Sequence, residues 1–150
     1  MANMTRVEGS VIIDRSTDAV WSLISDMDRF EKTINPNVIE SKQTSAGPIG
    51  VGTTFHEVRS KSPKAMDYRF TEYEPNNRLA ITVTSGMLKG SIVTEKVENV
   101  EGKTRLTTSA DYHFSGFYKL VQPFARTRFQ KEHAKQLDDV KHAIESQAKP

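Results

Sequence analysis

The chain has 150 residues, no cysteine, and 21 basic against 19 acidic residues, for a net charge of +2. That length suits one domain with a sizeable core, and 36% hydrophobic with 27% charged residues is a globular rather than a disordered balance. The near-neutral charge speaks against the basic stripe of a nucleic-acid binder, the missing cysteines exclude disulfides and thiolate chemistry, and no apolar run approaches the ~20 residues of a membrane span.

Met1 to Arg6 contains no apolar signal core, so a cytoplasmic protein without stable membrane insertion is expected. Val7, Gly9, Val11 and Ile13 alternate, which predicts a strand. Ser16-Thr17-Asp18 starts a short helix with a hydroxyl cap and an acid in its first turn, carrying Val20, Trp21, Leu23 and Ile24. A second short helix, from Met27 to Thr33, carries Phe30 and leads to Ile34, and Asn35-Pro36 closes it.

The chain is then strand-like for a long stretch. Strands are predicted over Val38 to Thr44 and Thr53 to Ser60, with Gly47-Pro48 and Gly50-Val51-Gly52 turning between them. Met66, Tyr68 and Phe70 alternate with Asp67, Arg69 and Thr71, the clearest half-buried strand in the sequence. Pro75-Asn76-Asn77 turns into Leu79, Ile81 and Val83. Gly90 to Val97 and Thr104 to Phe114 pair around Glu101-Gly102-Lys103. Consecutive hairpins imply an antiparallel meander.

Gly116 to Ser146 reads as helix. Phe117, Leu120, Val121 and Phe124 form one apolar series, and Phe129, His133, Leu137, Val140 and Ile144 a second, slightly out of phase. Pro123 stands where the first ends. Either one long helix bends there, or a short helix stops and Pro123 opens the next. The segment Phe117 to Pro123 is expected to form a mobile edge, and Ala148 to Pro150 a loose end, leaving about residues 5 to 146 ordered.

The order is therefore strand, two short helices, about six strands, long helix. Strand twist makes such a meander curl. Its apolar concave face needs a cover, the last helix is long enough to give one, and a curved sheet under a straight helix leaves a space in the middle. Four stretches carry a family likeness: Ser16-Thr17-Asp18-Ala19-Val20-Trp21, Gly50-Val51-Gly52-Thr53-Thr54-Phe55, Thr71-Glu72-Tyr73-Glu74-Pro75-Asn76-Asn77-Arg78-Leu79, and Leu137-Asp138-Asp139-Val140-Lys141 with Glu145. With this order of elements they resemble the START-like, helix-grip superfamily (SRPBCC), and within it bacterial polyketide cyclase/dehydrase-like and lipid-transport-like proteins. The likeness spans nearly the whole chain and implies an α+β helix-grip fold: a curved antiparallel sheet of about seven strands around a long C-terminal helix, in one domain. The shared motifs are caps, turns and packing positions, and the superfamily includes carriers, receptors and cyclases, so they imply fold rather than chemistry.

Several residues are candidates for a site. Inward Met66, Tyr68 and Phe70 and, near the sheet's end, Tyr112 and Phe114 would line a pocket, the tyrosines offering hydroxyls to a ligand. Phe124, Phe129 and His133 would face them from the helix, and a histidine there could shuttle a proton. In the strand after Gly52, either Phe55, Glu57 and Arg59 or Thr54, His56 and Val58 face inward, and alternation alone does not choose. Glu40 is a further acid, read first as solvated. The histidines His56, His113, His133 and His142 show no i, i+4 metal-ligand pair, so neither metal nor other cofactor is expected. No Gly-x-Ser-x-Gly elbow is present, and Gly50-Val51-Gly52 precedes no helix that could bind phosphate. Lys119, Arg126, Arg128, Lys131 and Lys135 read as a solvated helix face.

The expected function is binding, as carrier or sensor, of a small hydrophobic ligand such as a lipid, polyketide or isoprenoid, with Glu57, Met66, Tyr68, Phe70, Tyr112, Phe124, Phe129 and His133 as the ligand-contacting set. A cyclase or dehydratase using a pocket acid or base is the alternative, a non-catalytic accessory protein the third. No nucleic-acid partner is expected, a homodimer is compatible with the sequence, and whether any reaction is catalysed stays open.

Overall fold

A computed structural model describes residues 4–114, 120 and 122–147. Strand β1 (Met4–Ile13) leads into helices α1 (Thr17–Ile24) and α2 (Met27–Ile34). Strands β2 (Val38–Gln43), β3 (Thr54–Arg59), β4 (Ala65–Glu74), β5 (Arg78–Val83), β6 (Ile92–Val100) and β7 (Lys103–His113) follow, and helix α3 (Gln122–Glu145) closes the chain. All seven strands form one antiparallel sheet in the order β1-β7-β6-β5-β4-β3-β2. β1 begins at Met4, earlier than its apolar alternation signals, because it pairs along the whole of β7 from Met4↔His113 to Ile13↔Thr104. The turn between β6 and β7 needs positive φ at both Glu101 (52°) and Gly102 (85°), the two-residue hairpin geometry that glycine eases.

Each helix start follows its local chemistry. Ser16 Oγ accepts from Ala19 N–H at 3.3 Å, and Asp26 Oδ1 from Arg29 N–H at 3.3 Å, satisfying amide groups that a helix start leaves unpaired. α2 is tied to the sheet by Ser41 N–H, which donates to Asp28 Oδ1 at 2.9 Å. α3 begins at Gln122, which puts Pro123 in its first turn, the second of the two readings of that proline. The short helix expected before it and the mobile edge from Phe117 fall largely on residues 115–119 and 121, and the loose end falls on 148–150; these lie outside the described residues.

α3 lies across the concave face, packed mainly on β1 and α2. Gly9 makes the close approach to β1 feasible. A Cβ there would lie 2.9 Å from Leu137 Cδ1 and 3.6 Å from His133 Nδ1, so a bare backbone lets the helix settle. The far end of α3 is clamped to the β1–α1 junction. Asp14 N–H donates to Glu145 Oε2 at 2.8 Å, Lys141 Nζ to Ile12 O at 2.5 Å, and Arg15 Nη2 to Glu145 O at 2.5 Å.

The register divides the concave face into two halves. At the α1 end, Phe55 stacks on Tyr68 (5.1 Å between ring centres) and meets Phe70 edge-on (5.3 Å); Phe70 touches Tyr73, and Tyr73 touches Trp21. With Ile13, Leu106, Val140 and Ile144 these rings form the packed core. The other half is not filled.

Candidate functional site

That half holds a cavity of about 810 Å³. Its floor is Leu79, Ile81 and Val83 of β5, Val93 and Glu95 of β6, and Thr108, Ala110 and Tyr112 of β7. Its walls are Met27, Phe30, Glu31 and Ile34 of α2 and Phe129, His133, Leu137 and Val140 of α3. The lining extends to the loops around Pro36, Pro63 and Leu88, and to Phe124, which is 83% exposed and therefore stands at the rim. Alternation places these residues: Leu79↔Glu95, Glu95↔Thr108 and Thr108↔Gly9 pair directly, so one transverse row of the concave face reads leucine, glutamate, threonine, glycine.

Three glutamates are buried on this side: Glu31, Glu57 and Glu95. Glu31 reaches the interior because α2 turns Met27, Phe30, Glu31 and Ile34 to one face. Burial holds its carboxyl well above the usual range, and the nearby Glu57 charge raises it further while Arg59 opposes. Glu95 is 2% exposed, and burial pushes its pKa up to about 8, against the lowering effect of the Thr108 hydroxyl, which donates to Glu95 Oε1 at 2.6 Å. Around neutral pH Glu95 thus favours the protonated form. Glu57 has no exposed side-chain surface. Its Oε2 accepts from Arg59 Nε at 2.6 Å, and its carboxyl group also meets that of Glu31 within hydrogen-bond reach.

The inward set of β3 is Phe55, Glu57 and Arg59. His56, on the convex face, pairs with Asp67 at 2.6 Å, and Glu40 is exposed. Of the expected ligand-contacting residues, Met66, Tyr112, Phe124, Phe129 and His133 line the cavity. Glu57, Tyr68 and Phe70 are not among its lining residues. Tyr68 and Phe70 are fully buried in the aromatic layer; the Tyr68 hydroxyl is bonded to Ser41 Oγ, and burial raises its pKa. Glu57 acts on the cavity through Arg59 and Glu31, which do line it.

Tyr112 and Phe129 touch at 4.5 Å between ring centres, and Phe114 stacks on Phe129 at 5.7 Å, so a second aromatic group closes this end. Burial pushes the Tyr112 hydroxyl up to about 12, with Glu31, Glu132 and Glu95 adding to it. His133 is 3% exposed, both ring nitrogens lack a partner, and burial lowers its pKa, so the ring is neutral at pH 7. His113 lies against Gly90 and His142 is exposed.

Glu31, Arg59, Glu95 and Thr108 were not singled out as a set from sequence. The spacing Met27–Phe30–Glu31–Ile34 was a usable signal for Glu31, and the run Val93–Glu95–Val97 for Glu95. Among the described residues, no group of three or more His, Cys, Asp or Glu could hold a metal ion, and no helix is long and apolar enough to cross a membrane.

No curated protein sequence matches the chain significantly. Solved structures do match. The ZhuI aromatase/cyclase from Streptomyces sp. R1128 superposes with a TM-score of 0.75 at 14% identity, over 95% of this chain and 94% of that one. TTHA0849 from Thermus thermophilus gives 0.74 at 15%, over 94% and 97%. The di-domain ARO/CYC StfQ of the steffimycin biosynthetic pathway gives 0.74 at 12%, over 95% of this chain and 51% of that one. At such identities the likeness shows a shared helix-grip fold. The family model described as polyketide cyclase/dehydrase and lipid transport matches residues 4–145. With a seven-stranded curved sheet gripping α3 and that match over nearly its full length, the chain belongs to the polyketide cyclase/dehydrase and lipid-transport family.

Proposed function

We propose that the protein binds a small hydrophobic ligand, of the lipid, polyketide or isoprenoid kind, in the cavity between β5–β7 and α3, as a carrier or sensor. The observation that carries this is the cavity of about 810 Å³, walled largely by Leu, Ile, Val, Met and Phe. Interiors normally pack to crystal-like density, and an unfilled apolar volume of this size costs stability that an apolar occupant restores. Burying a ligand's apolar surface contributes about 25 cal/mol per Å² before association costs. Native mass spectrometry of the purified protein tests the reading. A co-purified apolar mass, released on unfolding, is the expected result. An apo mass alone, together with no binding of added apolar probes, refutes it.

A second reading, an enzyme of the cyclase or dehydratase kind, draws on one specific observation: two buried carboxyl groups, Glu31 and Glu95, both raised by burial, line the same cavity. An acid whose pKa lies near the working pH is suited to proton transfer. In this reading Glu95 donates a proton to a carbonyl or departing hydroxyl oxygen while the His133 ring of the same cavity accepts the proton lost from the adjacent carbon, and the walls hold a flexible chain in a reactive fold. Turnover of a poly-β-ketone analogue that Glu95→Gln abolishes, in a variant that still binds it, would favour the enzyme over the carrier.

A further inference from the structure

The lining carries cations, but each already has an acidic partner. Arg59 Nε donates to Glu57 at 2.6 Å. Arg128 lies 3.0 Å from Glu132, and Lys135 lies 2.8 Å from Asp139; both are largely solvent-exposed. Inside stand Glu31 and Glu95, each buried, with Glu57 behind them. An anionic group brought into this space would leave water to compete with these acids for the cations, and would face carboxyls as well. A hydroxyl or carbonyl oxygen meets a different situation. A protonated carboxyl offers it an O–H donor, and the unpartnered His133 ring at the same wall offers one donor and one acceptor.

We propose that the cavity selects uncharged apolar ligands bearing a hydroxyl or carbonyl oxygen and turns away carboxylates of the same shape. This rests on the reading that the cavity binds a hydrophobic ligand, and narrows it: alcohols, ketones and esters fit, and free fatty acids do not. Glu31 and Glu95 set the selectivity. The other charged or titratable groups facing them are Glu57 and Arg59 of β3, Tyr112 of β7, and Arg128, Glu132, His133 and Lys135 of α3.

The test compares probes of one skeleton and different charge: retinol and retinoate, with decanol and decanoate as a slimmer pair. Affinities are read by retinol fluorescence and by displacement, on the full chain, at pH 6 and pH 9. Each alcohol is expected to bind about tenfold or more tighter than its carboxylate at pH 6. The alcohol-to-carboxylate ratio grows by about threefold or more at pH 9, as Glu95 ionises beside Glu31. In Glu31→Gln/Glu95→Gln, checked for folding by circular dichroism, that growth disappears. Carboxylate binding as tight as the alcohol overturns the selectivity while leaving hydrophobic binding intact. Growth with pH that persists in the double variant overturns the assignment to these two acids. If no member of either series binds, the binding reading fails and the selectivity with it.

Discussion

Glu95→Gln isolates what a buried acid costs this fold. Glu95 is 2% exposed and its pKa rises from the 4.5 ordinary for glutamate to about 8 in the folded chain. The folded state therefore holds a proton that the unfolded chain releases between those values. The stability tied to that proton is complete below pH 4.5, falls as pH rises through the window, and is gone above about 8. The gap is 8 − 4.5 = 3.5, and at about 1.4 kcal/mol for each tenfold it amounts to roughly 5 kcal/mol at alkaline pH. Water admitted to the cavity hydrates the carboxylate and brings this towards about 1 kcal/mol. Glutamine keeps the shape and the acceptor for the Thr108 hydroxyl but carries no proton to lose. Urea unfolding of both proteins from pH 4.5 to 9 should give nearly equal stabilities at the acid end and a growing advantage for the variant above pH 6. The Glu95 charge is the smallest of the influences that raise Glu31, and removing it relieves Glu31 as well, so that contribution adds to the variant's advantage with the same sign. Two parallel curves would refute the argument.

Three further outcomes follow from the packing. Gly9→Val places a side chain where a Cβ alone already meets Leu137 Cδ1 at 2.9 Å; it should cost about 2 kcal/mol in denaturant unfolding, and adding Leu137→Ala should cost less than its separate loss predicts, because the two share one space. Arg59→Met leaves the Glu57 carboxylate, with no exposed surface, unpaired, and should destabilise by about 3 kcal/mol or more, largely recovered in Glu57→Gln/Arg59→Met. Tyr68→Phe removes the hydroxyl bonded to Ser41 in the packed half, so it should cost about 1 kcal/mol in thermal unfolding and leave retinol affinity unchanged.

Elements were legible because their signals are local. Ser16 caps a helix, Asn35-Pro36 stops one, and Met66, Tyr68 and Phe70 alternate. The side of β3 that faces inward was not legible, because Phe55-Glu57-Arg59 and Thr54-His56-Val58 are both mixed. Only the pairing Phe55↔Tyr68 and Glu57↔Met66 fixes it. Apolar alternation did identify inward residues, but it could not say which half of the face they occupy. Tyr68 and Phe70 sit in packed rings with Phe55 and Tyr73, while Met66, two residues before Tyr68 on the same strand, reaches the cavity. That division depends on where α1 and α3 cross the sheet, a tertiary fact with no counterpart in any short window.

The acids escaped notice for a related reason: a glutamate in a helix or strand reads as solvated unless its neighbours on the same face are counted. On α2 that face is Met27, Phe30, Glu31 and Ile34; on β6 it is Val93, Glu95 and Val97. In each case one carboxyl interrupts an apolar row. Leucine or methionine at either position would avoid the desolvation cost and fill volume, so stability alone does not account for a glutamate there. Both interruptions open on the same cavity, whereas the buried polar groups off its lining are matched in place, Glu57 by Arg59 and the Tyr68 hydroxyl by Ser41. Packing thus takes one half of the concave face, and the other keeps the empty volume with Glu31 and Glu95 on its lining, the arrangement expected where recognition rather than stability sets the residue.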